Sequence, residues 1–284
     1  MTSTRALRTI TATAAIALLA VSAWADGGVR WHESLAAAKQ AAVASGRPIL
    51  VEFHSVGCGP CARMEQETLA DPEVAGIIAQ RFEAVRVNAI KQPQLATQFL
   101  VSFYPTVKFI DADGAVVHDA QGFVAAADFL GVMDRALEAH AALQRARSAA
   151  AEEPEDAAGA LVIARDFYAA RQNEHAVQWA RTATEGAEDG SPVKAEAQYV
   201  LGAALTEAGE PGRAEQPLVN ALKHADGAVW QWDARLKLGY AWLQRGEDDS
   251  GIGMLQTVYA SDAASTELKA EAKRLLQWWG VQVD

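Results

Sequence analysis

Cysteine is nearly absent from this chain: among 284 residues there are two, Cys58 and Cys61, in the stretch GCGPC. Two cysteines exclude a disulfide framework, and they leave structural zinc short of the four ligands it usually takes in cysteine and histidine pairs. The six histidines, His32, His54, His118, His140, His175 and His224, do not fill the gap, because none has another three to five residues away. No metal site is expected. Basic residues are also in short supply, with 25 Lys and Arg against 36 Asp and Glu and a formal charge of −11. Such a surface repels phosphate backbones. Nucleic-acid binding is disfavoured, since its affinity comes largely from cationic contacts that release counterions.

Long apolar runs are missing as well. The one candidate, from about Ile10 to Val21, has roughly a dozen residues, against the 18 or so that a membrane-spanning helix needs. It follows Arg5 and Arg8 and precedes Ala23-Trp24-Ala25, a small-x-small cleavage pattern. That order is the one of a secretory signal, so residues 1–25 are expected to be removed near Ala25 and the chain to be exported, periplasmic or secreted. No cysteine follows the apolar run to take a lipid anchor. Loss of the signal leaves 23 basic against 36 acidic residues, a net charge of −13. Export puts Cys58 and Cys61 in an oxidising compartment, where a disulfide persists. The remaining length exceeds a typical single domain, and two are expected.

What is present falls into two patterns. Trp31, Leu35, Ala38 and Ala42 have helical spacing, ended by SGRP at Ser45 to Pro48. ILVEF, Ile49 to Phe53, is short, apolar and β-branched, as a buried strand should be, and runs straight into the cysteine loop. Helix formers follow Pro60, with a break at Asp71-Pro72 and a second helical stretch to about Gln80. A strand from Phe82 to Ala89 and a short helix come next. PTVKFID and VVHDAQG then flank an Asp113-Gly114 turn, a hairpin signal, before a long helix from about Ala125 to Ala149. This order implies an α/β domain, a mixed sheet flanked by helices, over residues 26–148.

Residues 149–158, charged and interrupted by Pro154, suit a linker. Beyond them, over 159–284, no strand pattern occurs. One arrangement recurs instead. Ile163-Ala164-x-x-Phe167 precedes Ala176, Ala180 and Ala183; Leu201-Gly202-x-x-Leu205 precedes Ala214, Leu218 and Ala221; Leu238-Gly239-x-x-Trp242 precedes Gly251, Leu255 and Val258. Twelve residues separate Ala164, Gly202 and Gly239 from Ala176, Ala214 and Gly251 respectively. Small residues at such places let antiparallel helices approach closely, and the pattern resembles the tetratricopeptide repeat. The resemblance implies an all-α helical-repeat domain, capped by a terminal helix from about Ser265 to Trp279, with a surface for a protein partner.

The cysteine pair has three readings: half of a metal site, a structural staple, or a redox couple. A staple gains little here, because a ring of about four residues yields only about 2 kcal/mol of chain entropy against about 3 for a ring of fifteen. The redox reading accounts for more of the surroundings. With Cys58 at the mouth of a helix starting near Pro60, unpaired amides and the positive helix end stabilise a thiolate, which is the attacking species. Pro60 fixes the turn that carries Cys61 inward, within reach of a mixed disulfide formed at Cys58.

VEFHSVGCGPC, VRVNA and FYPTVKFIDADG give residues 31 to about 140 a resemblance to the thioredoxin superfamily. The resemblance implies a thioredoxin-like fold and a thiol–disulfide oxidoreductase that uses no cofactor. It makes Pro105 the cis-proline facing the disulfide. Tyr104, with Gly59 and Pro60 between the cysteines, is implied to contact substrate. Glu52, six residues before Cys58 in an otherwise apolar strand, matches the buried acid that accepts the proton of Cys61. Arg86 matches a frequent lysine and either partners Glu52 or is solvated. Gly57 stands where relatives usually carry Trp, and MEQETLADPEV, Met64 to Val74, looks more like exported thioredoxin-like domains and the reductase domain of transmembrane thiol relays. The partners implied are proteins with cysteines or disulfides and a membrane thiol donor or acceptor.

The competing expectation is a non-catalytic adaptor or chaperone that works through the repeats, with the disulfide structural or vestigial. Trp230, Trp232, Trp242, Trp278 and Trp279 would serve such a surface or, equally, a helical core.

Overall fold

The computed structural model describes residues 28–154 and 156–283, so the expected signal segment lies outside the described residues. Five strands form one mixed sheet in the order β1-β3-β2-β4-β5: β1 Trp31–His32, β2 Ile49–His54, β3 Glu83–Asn88, β4 Thr106–Ile110 and β5 Val116–Gln121. β1, β3 and β2 run parallel, while β4 and β5 are antiparallel to their neighbours. Trp31 starts the edge strand β1 rather than the helix its spacing suggested. The helix α1 spans Leu35–Ser45, with the Ser34 side chain capping the Ala37 N–H. Glu83 holds β1 in place, accepting from His32 Nε2 at 2.7 Å, from Ser45 Oγ at 2.9 Å and from Arg47.

β2 is central, and its apolar run is buried on both faces, as a strand covered by helices on either side must be. Alternation sends Ile49, Val51 and Phe53 to one face, where they pack with Ala38 and Ala42 of α1 and with Ala96 and Phe99 around α4 (Pro93–Gln98). Leu50 and Glu52 point to the other. There Leu50 meets Met64, Val74 and Ile78, from the segment after the cysteines and from α3 (Pro72–Arg81), together with Phe129 and Met133 of α5 (Ala126–Ala151). Glu52 is therefore a buried carboxylate on the same face as this apolar cluster, at the end of the strand next to the cysteines.

At 26 residues α5 is about 39 Å long, well beyond the width of the sheet. Its first half covers the sheet through Phe129, Val132 and Met133. Its second half, with Ala142, Leu143 and Ala146, continues the same core to Ile163 and Phe167 of α6 (Ala157–Ala169). Six more helices follow: α7 Asn173–Gly186, α8 Pro192–Glu207, α9 Pro211–Leu222, α10 Gln231–Gln244, α11 Asp248–Ala260 and α12 Thr266–Trp278. The small residues read from the sequence lie at the helix contacts. A β-carbon on Gly202 of α8 would stand 2.5 Å from Leu218 Cγ of α9, and one on Gly239 of α10 would stand 3.2 Å from the Gly251 carbonyl of α11. Ala164 and Ala176 are fully buried at the matching places of α6 and α7.

The turn joining α6 to α7 docks on the edge strand β5. Gln172 Nε2 donates to the Val116 carbonyl at 3.0 Å, and Arg171 Nη1 pairs with Asp119 at 2.7 Å. Arg171 has φ 58, in the left-handed region, where the corresponding turns carry Gly209 and Gly246. Backbone strain at this residue accompanies an ion pair that glycine cannot make.

Candidate active site

The cysteines sit where β2 ends and α2, Gly59–Arg63, begins. Gly57 turns the chain with φ 77, a conformation a tryptophan would rarely adopt. Cys58 is the N-cap residue: its sulfur accepts the Cys61 N–H at 3.2 Å. The two sulfurs are bonded, with the Cα atoms 5.3 Å apart. Accessibility separates them. Cys58 is half-buried and Cys61 only 6 % exposed, while Gly59 and Pro60 lie at the surface. Helix α2 continues as a π-helix, Met64–Leu69, whose wider turn is closed by the Ala70 N–H donating to the Glu65 carbonyl.

Facing the pair across the sheet end is the loop before β4. The Tyr104–Pro105 peptide bond is cis, and the Tyr104 carbonyl oxygen lies 3.6 Å from Cys58 Sγ. Pro105 is buried and Tyr104 half-buried.

A cavity of about 400 Å³ opens beneath the disulfide, lined by Cys58, Cys61, Glu52, Glu65, Arg86 and His54 among others. Glu52 is 2 % exposed. Burial raises its pKa, opposed chiefly by Arg86, because an ionised carboxylate loses its hydration there. Arg86 Nε stands 2.9 Å from Glu52 Oε2, in ion-pair contact but poorly aligned for a hydrogen bond. The same guanidinium donates from Nη1 to Glu65 at 2.7 Å and lies over the Trp31 ring, 4.3 Å from its centroid. Of the two alternatives for Arg86, partner or solvated group, the structure has the first.

The fold thus brings together Cys58, Cys61, Glu52, Gly59, Pro60, Tyr104 and Pro105. The sequence reading gives no part in the site to two participants, Glu65 and Trp31, which both join it through Arg86. Glu65 falls four residues after Cys61, one helical turn on, and that spacing was the available signal.

Residues 35–137 match the thioredoxin-like domain family. A thioredoxin-like protein of Synechocystis is 30% identical over 86 residues, 30% of this chain and 78% of that protein. A thioredoxin of Synechococcus elongatus is 31% identical over 99 residues, 35% of this chain and 89% of its own. The chain belongs to the thioredoxin-like family. Among solved structures, a thioredoxin from Thermus thermophilus aligns at 31% identity over 37% of this chain and 83% of its own, with a TM-score of 0.34. Family membership and the Cys58–Cys61 pair make the protein a thiol–disulfide oxidoreductase. The thioredoxin-like fold accounts for the sheet and its flanking helices through the first half of α5; the helices from α6 onward are additional.

Proposed function

We propose that the protein exchanges disulfides with exported proteins through Cys58 and Cys61, and that its helical region recruits the protein partner. The observation that carries this reading is the unequal exposure of two bonded sulfurs at one helix end. In the reduced protein Cys58, beside the first amides of the helix, is the thiol that ionises most readily. Its thiolate attacks one sulfur of a substrate disulfide. A Cys58–substrate disulfide forms and the other substrate sulfur leaves as thiolate. Glu52 then takes the Cys61 proton, Cys61 attacks Cys58 Sγ, and the second substrate sulfur leaves. Two electrons pass from the dithiol to the substrate, and the same steps in reverse oxidise one.

Tyr104, before Pro105, offers backbone groups to an extended substrate beside the sulfurs, and Gly59 and Pro60 form the surface it rests on. A membrane thiol donor or acceptor restores the pair. The charge and length pattern of residues 1–25 supports export, and no helix among the described residues is long and apolar enough to cross a membrane. Antiparallel helices with small residues at their contacts support the tetratricopeptide-like reading of the region from α6 onward. Insulin reduction tests the chemistry: Cys58→Ser should abolish it, and activity equal to wild type would leave the adaptor reading.

A further inference from the structure

Leu100 carries two unfavourable features at one position. Its φ is 51, in the left-handed region that disfavours a β-carbon, and its large apolar side chain is 82 % exposed. Val56, Ile90 and Phe103 are likewise exposed, at 80, 66 and 65 %. These four lie on loops at the end of the sheet that carries the disulfide, for a topological reason. Parallel β2 and β3 end, and antiparallel β4 begins, at the same edge of the sheet, so the loops bearing all four meet there.

Leu100 also opens onto a cavity of about 520 Å³ that the thioredoxin-like part does not form alone. Gln98 and Leu100 supply one wall and Tyr168, Asn173 and Glu207 of the helical region the other. Each charge lining the cavity has an ion-pair partner: Lys108 and Arg171 pair with Asp119, and Glu207 pairs with Lys237 outside the lining. The groups left over are the side-chain amides of Gln98 and Asn173. Amides both donate and accept, which matches peptide backbone better than it matches an ion.

We propose that polypeptide substrates occupy one groove built by both parts of the chain, running from the disulfide over Phe103 and Leu100 into the cleft beside Asn173. The occupant is an extended segment with apolar residues flanking its cysteine. Leu100 and Tyr104 are four residues apart, so at most about 14 Å of chain separates them, and the Tyr104 carbonyl is 3.6 Å from Cys58 Sγ. Five or six extended residues on one side of the substrate cysteine reach Leu100. The inference rests on the oxidoreductase reading and gives the helical region its part in it: a second wall for the substrate.

The test uses the full chain and two synthetic substrates, a tripeptide and a dodecapeptide with apolar flanks, each with one cysteine in mixed disulfide with a small thiol. Wild type should show kcat/KM at least tenfold higher for the longer peptide. Leu100→Gly, which relaxes the left-handed backbone and so should not lower Tm, and Asn173→Ala should each reduce that advantage to threefold or less. No length advantage in wild type, or its full retention in Leu100→Gly, overturns the groove; full retention in Asn173→Ala overturns the helical wall. Turnover of neither peptide by wild type would instead overturn the oxidoreductase reading beneath it.

Discussion

Arg86 is shared between two carboxylates, with Nε 2.9 Å from buried Glu52 and Nη1 2.7 Å from exposed Glu65. Burial raises the Glu52 pKa, so the fold favours the protonated carboxyl, and this contribution is present at low pH and lost as pH rises through the raised value. Glu52→Gln should therefore raise Tm at pH 7, and it should slow substrate release by about 100-fold, the lower end of what a general base contributes. Thermal melts and single-turnover kinetics check the two halves.

Glu65 opposes Arg86 in setting where Glu52 ionises. Glu65→Gln leaves the guanidinium to Glu52 alone and should move the pH–rate inflection downward, whereas Arg86→Met should move it upward. A pH profile of turnover between 5 and 9 reads both.

In the helical region, close approach rather than hydrophobic mass sets the geometry. A β-carbon at Gly202 has Leu218 Cγ at 2.5 Å and the Ala214 carbonyl at 3.0 Å, so Gly202→Ala should destabilise by about 1–3 kcal/mol. Gly253, inside α11 with nothing within 4 Å, is the control. Gly253→Ala should stabilise by up to about 1 kcal/mol through helix propensity. Urea midpoints decide between them.

Arg171 offers a comparison of two variants that both lose the Asp119 pair. Only glycine adopts φ 58 freely, so Arg171→Gly should be about 1 kcal/mol more stable than Arg171→Ala in denaturant titrations.

The sequence made the strands Ile49–His54 and Glu83–Asn88, the Asp113-Gly114 hairpin and the paired helices legible, because each rests on local periodicity or on a punctuating residue. It misplaced Trp31, whose spacing to Leu35 suits a helix but whose two-residue strand is held by Glu83, some fifty residues away. The cysteine pair, Glu52 and Pro105 could be picked out because motif spacing fixes them. Glu65 and Arg86 could not be joined that way: their contact depends on a π-turn and on strand register. Nor does the repeat pattern disclose that α5 carries one core from the sheet into the helices, or that the α6–α7 turn seats on β5. The contacts of that turn join residues more than fifty apart through a hydrogen bond and an ion pair, and the shared core follows from packing, so no local pattern carries either.

The central claim is that Cys58 attacks and Cys61 resolves. The direct measurement is a brief iodoacetamide pulse on the fully reduced protein at pH 7, followed by peptide mass mapping. Labelling of Cys58 at least tenfold above Cys61 is the expected result, and equal labelling, or faster reaction at Cys61, would contradict it.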